Sequence, residues 1–96
     1  MNIERLEAVV SGRVQGDLYR NYLCRKAKEL RLVGELKNLP QKKLWISAEG
    51  PPDILENFLQ DIQKPPLFTF AHVADTDYTW HIPSGRYHQF TAIFDG

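Results

Sequence analysis

The segment Gly12-Arg13-Val14-Gln15-Gly16-Asp17-Leu18-Tyr19-Arg20 combines two glycines, a following polar run and an arginine where an extended stretch gives way to a helical pattern. Those residue types in that order can hold an anion. Backbone N–H groups of a glycine turn that feeds a helix start converge on one point, where the helix dipole favours negative charge. An arginine placed there adds a planar fork able to grip two phosphate or carboxylate oxygens at once. The same spelling also describes an ordinary strand-to-helix turn, so the turn alone does not decide between the two readings.

The other chemistry-bearing residues offer less. His72, His81 and His88 fall in or between the last two extended segments, without a partner at helical ligand spacing, and read as surface or sheet-face histidines; no metal site is expected. Cys24 lies beside an apolar stripe with no assignable base, which makes it a partly buried small side chain rather than a nucleophile. Trp45 could stack a ligand, but no second aromatic accompanies it in its segment, so it is expected to cover an open sheet face. Arg25, Lys26 and Lys28 belong to a solvated helix face. An RNA-recognition surface, a Cys-x-x-Cys pair and a Gly-Lys-[Ser/Thr] phosphate loop are all missing from the sequence.

The elements that must position these residues follow from hydrophobic periodicity. Residues 6–14 alternate with Leu6, Ala8, Val10, Gly12 and Val14 on one side, the pattern of a half-buried strand. Residues 21–32 carry Leu23, Ala27 and Leu30 at helical spacing, and Gly34 is expected to break that helix. Residues 35–39 and 43–49 are two short strands around Pro40-Gln41-Lys42, with Leu44, Ile46 and Ala48 on one face and Trp45 and Ser47 on the other. Gly50-Pro51-Pro52-Asp53 leads into a second helix with Ile54, Phe58 and Ile62 as its stripe, ended at Lys64-Pro65-Pro66. Residues 70–80 and 88–94 are rich in aromatic and β-branched side chains and read as strands.

The order strand, helix, strand, strand, helix, strand, with a C-terminal strand or extension, predicts an α+β ferredoxin-like βαββαβ sandwich. Two helices then lie on one face of a four- or five-stranded, mainly antiparallel sheet. No repeat or linker divides the chain, so residues 1–96 are expected to form one domain. Twelve basic residues balance twelve acidic ones. General attraction to nucleic acid or membrane is therefore not expected, and any charge selectivity must be local. A single cysteine and the lack of an apolar leader suit a soluble, cytoplasmic protein.

Gly12-Arg13-Val14-Gln15-Gly16 followed by Arg20, then Gly34-Glu35-Leu36-Lys37-Asn38, Ala48-Glu49-Gly50 and Pro83-Ser84-Gly85, resembles the acylphosphatase family over nearly the whole chain. The resemblance implies hydrolysis of the carboxyl–phosphate anhydride of an acyl phosphate by a positioned water, releasing inorganic phosphate. Phosphate would be held by Gln15, Gly16, Asp17, Leu18, Tyr19 and Arg20. Arg20 and Asn38 would be the catalytic residues, Arg20 on the phosphoryl oxygens and Asn38 on the water. No metal, cofactor or covalent enzyme intermediate is implied, and a monomer acting on a small molecule is expected. The residue chemistry agrees, because a neutral amide can accept from water without competing for the phosphate.

The chain departs from the family pattern at Asp17, where valine is usual. A carboxylate about 4 Å from a phosphate charge costs ~4 kcal/mol at an effective dielectric of 20 and ~1 in water-like surroundings. Its effect depends on whether the side chain faces solvent or folds back onto Arg20. The alternative function is thus a non-catalytic anion-binding or protein-interaction domain whose site Asp17 impairs. Glu35 in place of tryptophan and Lys42-Lys43 in place of an Asp-Gly turn bear on packing and turn shape.

Overall fold

The structure is a computed structural model that describes residues 2–93. Its elements are β1 (Glu4–Arg13), α1 (Asp17–Glu29), β2 (Val33–Leu39), β3 (Lys43–Gly50), α2 (Pro52–Gln63), a 3-10 turn at Leu67–Thr69, β4 (His72–His81) and β5 (Phe90–Ile93). The five strands form one sheet in the order β4-β1-β3-β2-β5. All neighbours are antiparallel except β2 and β5, which run parallel. This is the ferredoxin-like arrangement expected from the alternation of periods.

Cross-strand register explains which side is buried. Leu6, Ala8 and Val10 of β1 face Ala48, Ile46 and Leu44 of β3, and the last two of these face Leu36 and Asn38 of β2. The apolar members of these rows are buried and join Leu23 and Ala27 of α1 and Leu55, Phe58 and Ile62 of α2 in one core. Phe58 meets Phe90 of β5 edge to face, with ring centroids 5.8 Å apart. The opposite face carries Arg5, Glu7, Trp45 and Lys37, and there the ammonium of Lys37 sits 5.0 Å from the Trp45 ring centre. Trp45 thus covers the open side, as its isolation in β3 suggests.

Several boundaries differ from expectation. Helix α1 begins at Asp17 rather than residue 21, since its first turn buries Tyr19 and the charged Arg20, which an apolar-stripe count does not register. It ends at Glu29 rather than at residue 32. Arg31 takes a left-handed φ of 59°, and the Leu32 N–H closes back on the Ala27 carbonyl at 2.9 Å. Gly34 therefore breaks no helix. It lies inside β2, where a Cβ would stand 1.9 Å from the Ser47 carbonyl oxygen, so the close approach of β3 requires glycine there. The strand expected from residue 70 starts at His72, because Phe70 is left-handed (φ 56°) and closes the 3-10 turn. Of the strand expected over 88–94, residues 90–93 form β5, and position 94 lies outside the described residues.

Candidate active site

Strand β1 reaches the site through an irregularity in its pairing with β4 between Ser11 and Gly12. A Cβ on Gly12 (φ 128°) would fall 2.3 Å from the His72 carbonyl oxygen and 2.8 Å from the Ala74 nitrogen. The first glycine of the motif is thus demanded by the sheet. The chain leaves β1 at Arg13, buries Val14 and enters α1 through an extended Gly16. The first backbone bond of the helix runs from the Arg20 N–H to the Gly16 carbonyl, 3.2 Å. The N–H groups of Asp17, Leu18 and Tyr19 precede that bond and have no acceptor within the helix, so they form a donor cluster at its positive end.

Gln15 fixes this loop against the strand pair that carries Asn38. Its side-chain amide donates to the carbonyls of Leu39 and Lys43, each at 2.8 Å, one on either side of the β2–β3 turn. Asn38, the residue before Leu39, lies in the helix-facing row with Leu36 and opposite Leu44. Its Oδ1 is buried and has no hydrogen-bond partner among the described residues. A buried amide acceptor left open costs about 1–3 kcal/mol, a cost that a bound water or ligand would remove.

Arg20 is 6% exposed, one turn into α1. Its Nη2 donates to Asp17 Oδ1, whereas the Asp17 side chain is 80% exposed. Both orientations considered from the sequence are therefore realised together: Asp17 folds back onto Arg20 and faces water. Leu18 is half exposed. The Tyr19 side chain points away into the core and donates from its hydroxyl to the Ile62 carbonyl at 2.6 Å. Burial, assisted by neighbouring Tyr22, pushes that phenol upward, so it remains a protonated strut between the helices. Of the six expected phosphate-binding residues, Gln15 and Tyr19 thus commit their side chains elsewhere, leaving only backbone groups for a ligand.

The remaining candidates are dispersed. His72, His81 and His88 are exposed, and no three His, Cys, Asp or Glu side chains among the described residues cluster as a metal site. Cys24 is half-buried; burial raises its thiol, against opposing pulls from Lys28 and Arg20, which suits a packing residue.

A second polar centre escaped the sequence. Glu49, at the far end of β3, is 4% exposed. Its carboxylate accepts from the Ser84 N–H (2.6 Å), the Ser84 hydroxyl (2.7 Å) and the Gly85 N–H (3.3 Å), with Arg5 Nε 3.9 Å away. Burial alone would raise its pKa, but these donors and Arg5 together hold it below the usual glutamate value. Ala48-Glu49-Gly50 and Pro83-Ser84-Gly85 are thereby two halves of one clamp. A side chain to distant backbone pairing of this kind leaves no local periodicity by which to find it.

The comparisons with known proteins agree with this geometry. Residues 6–92 match the family model described as Acylphosphatase. The chain is 41% identical over 81 residues to an acylphosphatase of Thermus thermophilus, covering 84% of this chain and 90% of that one. It is 34% identical over 94 residues to one of Methylococcus capsulatus, covering 97% and 99% of the two chains. The crystal structure of acylphosphatase from Bacillus subtilis superposes with a TM-score of 0.84 at 28% identity, over 95% of this chain and 99% of that one. The matched residues run from β1 through β5 and take in the glycine loop, Arg20 and Asn38, and the chain belongs to the acylphosphatase family.

Proposed function

We propose that this chain is an acylphosphatase that hydrolyses acyl phosphates by direct attack of water on phosphorus. In this reading, the N–H groups at the start of α1 and the Arg20 guanidinium hold the phosphoryl oxygens, while Asn38 Oδ1 accepts a hydrogen bond from the attacking water. The observation that carries it is the buried, open acceptor of Asn38 on the strand pair to which Gln15 ties the anion loop. A water held there supplies the missing partner. Placing it in line with the leaving oxygen converts a bimolecular step into a positioned one.

The step balances without a general acid. The water oxygen bonds to phosphorus, the phosphorus–oxygen bond to the acyl group breaks, and its electron pair leaves on the carboxylate. An acyl phosphate dianion and water yield one carboxylate and one dihydrogen phosphate, both water protons staying with the phosphate. A carboxylate leaving group has a pKa of about 4, so it departs unprotonated near neutral pH. Arg20 offsets charge on the phosphoryl oxygens, and its burial strengthens each charged hydrogen bond.

Family membership and the full-length relatives favour a hydrolase over a domain that merely binds anions. Residues 1–96 act in this reading as a single cytoplasmic monomer without cofactor. No helix among the described residues is long and apolar enough to cross a membrane. The test is hydrolysis of acetyl phosphate by the purified chain in the presence of EDTA. Turnover that persists in chelator and fails in Arg20→Ala supports the reading; turnover restored only by a divalent metal contradicts it.

A further inference from the structure

The helix that opens the phosphate cradle continues as an apolar strip, exposed at Leu18 and Phe68 and partly buried at Tyr22 between them. Leu18, in the first turn of α1, is 50% exposed, and Tyr22 follows it one turn on along the same helix face. Phe68 meets Tyr22 edge to face with ring centroids 5.9 Å apart and is itself 53% exposed. It is held in place by its turn. The Thr69 N–H and hydroxyl both donate to the Pro66 carbonyl, at 3.0 and 2.6 Å, and the Phe70 N–H donates to the Leu67 carbonyl at 3.0 Å. Large apolar side chains fixed in half-exposed positions offer contact area at little ordering cost.

We propose that this strip receives the acyl part of the substrate, and that the chain prefers acyl phosphates with long apolar acyl chains over short ones. The inference rests on the proposed phosphate cradle. Covalent connection supplies the occupant: whatever acyl group is bonded to a phosphoryl group at the N-terminus of α1 leaves the cradle beside Leu18. A two-carbon acyl group ends there. An eight-carbon one continues over Tyr22, roughly 6 Å further along the helix axis, and on to Phe68. Burying one methylene fully is worth up to about fourfold in affinity, and about twofold where one side stays wet.

The test compares methylphosphonate with octylphosphonate, which bind without being turned over, by calorimetry on the full chain. Hydrolysis of acetyl and octanoyl phosphate below the micellar range is measured in parallel. We expect octylphosphonate to bind at least about tenfold more tightly, and octanoyl phosphate to gain chiefly through KM. Phe68→Ser, at a half-exposed position, should lower the octyl-to-methyl affinity ratio at least threefold, with folding checked by circular dichroism. A ratio near one in the native chain, or an unchanged ratio in Phe68→Ser, overturns the proposal. Should neither acyl phosphate be turned over while the affinity ratio holds, the strip stands and the hydrolase reading falls.

Discussion

The two ends of β3 solve the same problem in opposite ways. At one end, N–H donors of Ser84 and Gly85 close around a carboxylate that the protein supplies itself, Glu49. At the other, the donors at the start of α1 gather beside the Arg20 guanidinium, and the carboxylate that pairs with Arg20 among the described residues, Asp17, is largely in water. A donor set filled from within gives up binding and gains stability, because each charged hydrogen bond is made once, on folding. A set left to a visiting anion forgoes that stability until the ligand arrives. The contrast sets the Glu49 clamp, filled from within, against the α1 cradle proposed for the substrate phosphate, and substitutions at either end should separate the two.

The largest effect is expected at the open end. Arg20→Ala removes charged hydrogen bonds to the phosphoryl oxygens, about 1.5–3 kcal/mol each, so two of them are worth about a hundredfold to ten-thousandfold in phosphate affinity. Turnover should fall with it. Asn38→Ala comes next: kcat should drop about a hundredfold through loss of water placement, with phosphate affinity kept within threefold. Calorimetric titration of phosphate into both variants, beside their steady-state kinetics, checks the pair. Equal phosphate affinity in the two would remove Arg20 from the cradle.

At the closed end, Glu49→Gln should cost about 2–3 kcal/mol of stability at neutral pH, since the donors of Ser84 and Gly85 lose their charged acceptor. Turnover per folded molecule should be unchanged. Because the carboxylate's folded pKa lies below its unfolded value of roughly 4.3, its contribution is fully present above that value and is lost as pH falls through the folded pKa. Urea midpoints of the two proteins should therefore differ at pH 7 and converge on acidification. A gap that stays constant down to pH 3 would show that Glu49 acts through packing rather than charge.

How far each end could be read from the sequence follows from the range of its contacts. The cradle is local: strand alternation through Val10, a glycine turn and an arginine lie within one stretch of chain, and the β2–β3 hairpin announces itself around Pro40. Even there the details depend on distant partners. The resemblance implies that Gln15 helps to hold phosphate, but its side-chain amide donates to carbonyls at positions 39 and 43. Gln41 and Lys42 both adopt positive φ without being glycine or asparagine, so the turn's presence was legible and its shape was not. The clamp was invisible because it joins Glu49 to residues 84 and 85, and neither segment betrays it through periodicity.

The smallest effect expected bears most directly on the contrast between the two ends, because Asp17 is the acidic residue that pairs with Arg20 among the described residues. Its carboxylate pairs with Nη2 of Arg20, as an internal anion would, yet 80% of the side chain remains in solvent. Water screens such a charge, so its repulsion of a phosphate about 4 Å away is nearer ~1 kcal/mol than the ~4 of a half-buried site. Asp17→Val should then strengthen phosphate binding about fivefold at low ionic strength. The gain should shrink below about twofold near 0.15 M salt, where the screening length is about 8 Å. Affinities of the two proteins across that salt range decide the matter. A gain of a hundredfold or more that resists salt would mean Asp17 occupies the cradle much as Glu49 occupies its clamp. Weaker binding by the valine variant would mean the opposite: by pairing with Arg20, the carboxylate orients the guanidinium for the phosphate, and the charge that departs from the family pattern is part of how this chain binds its substrate.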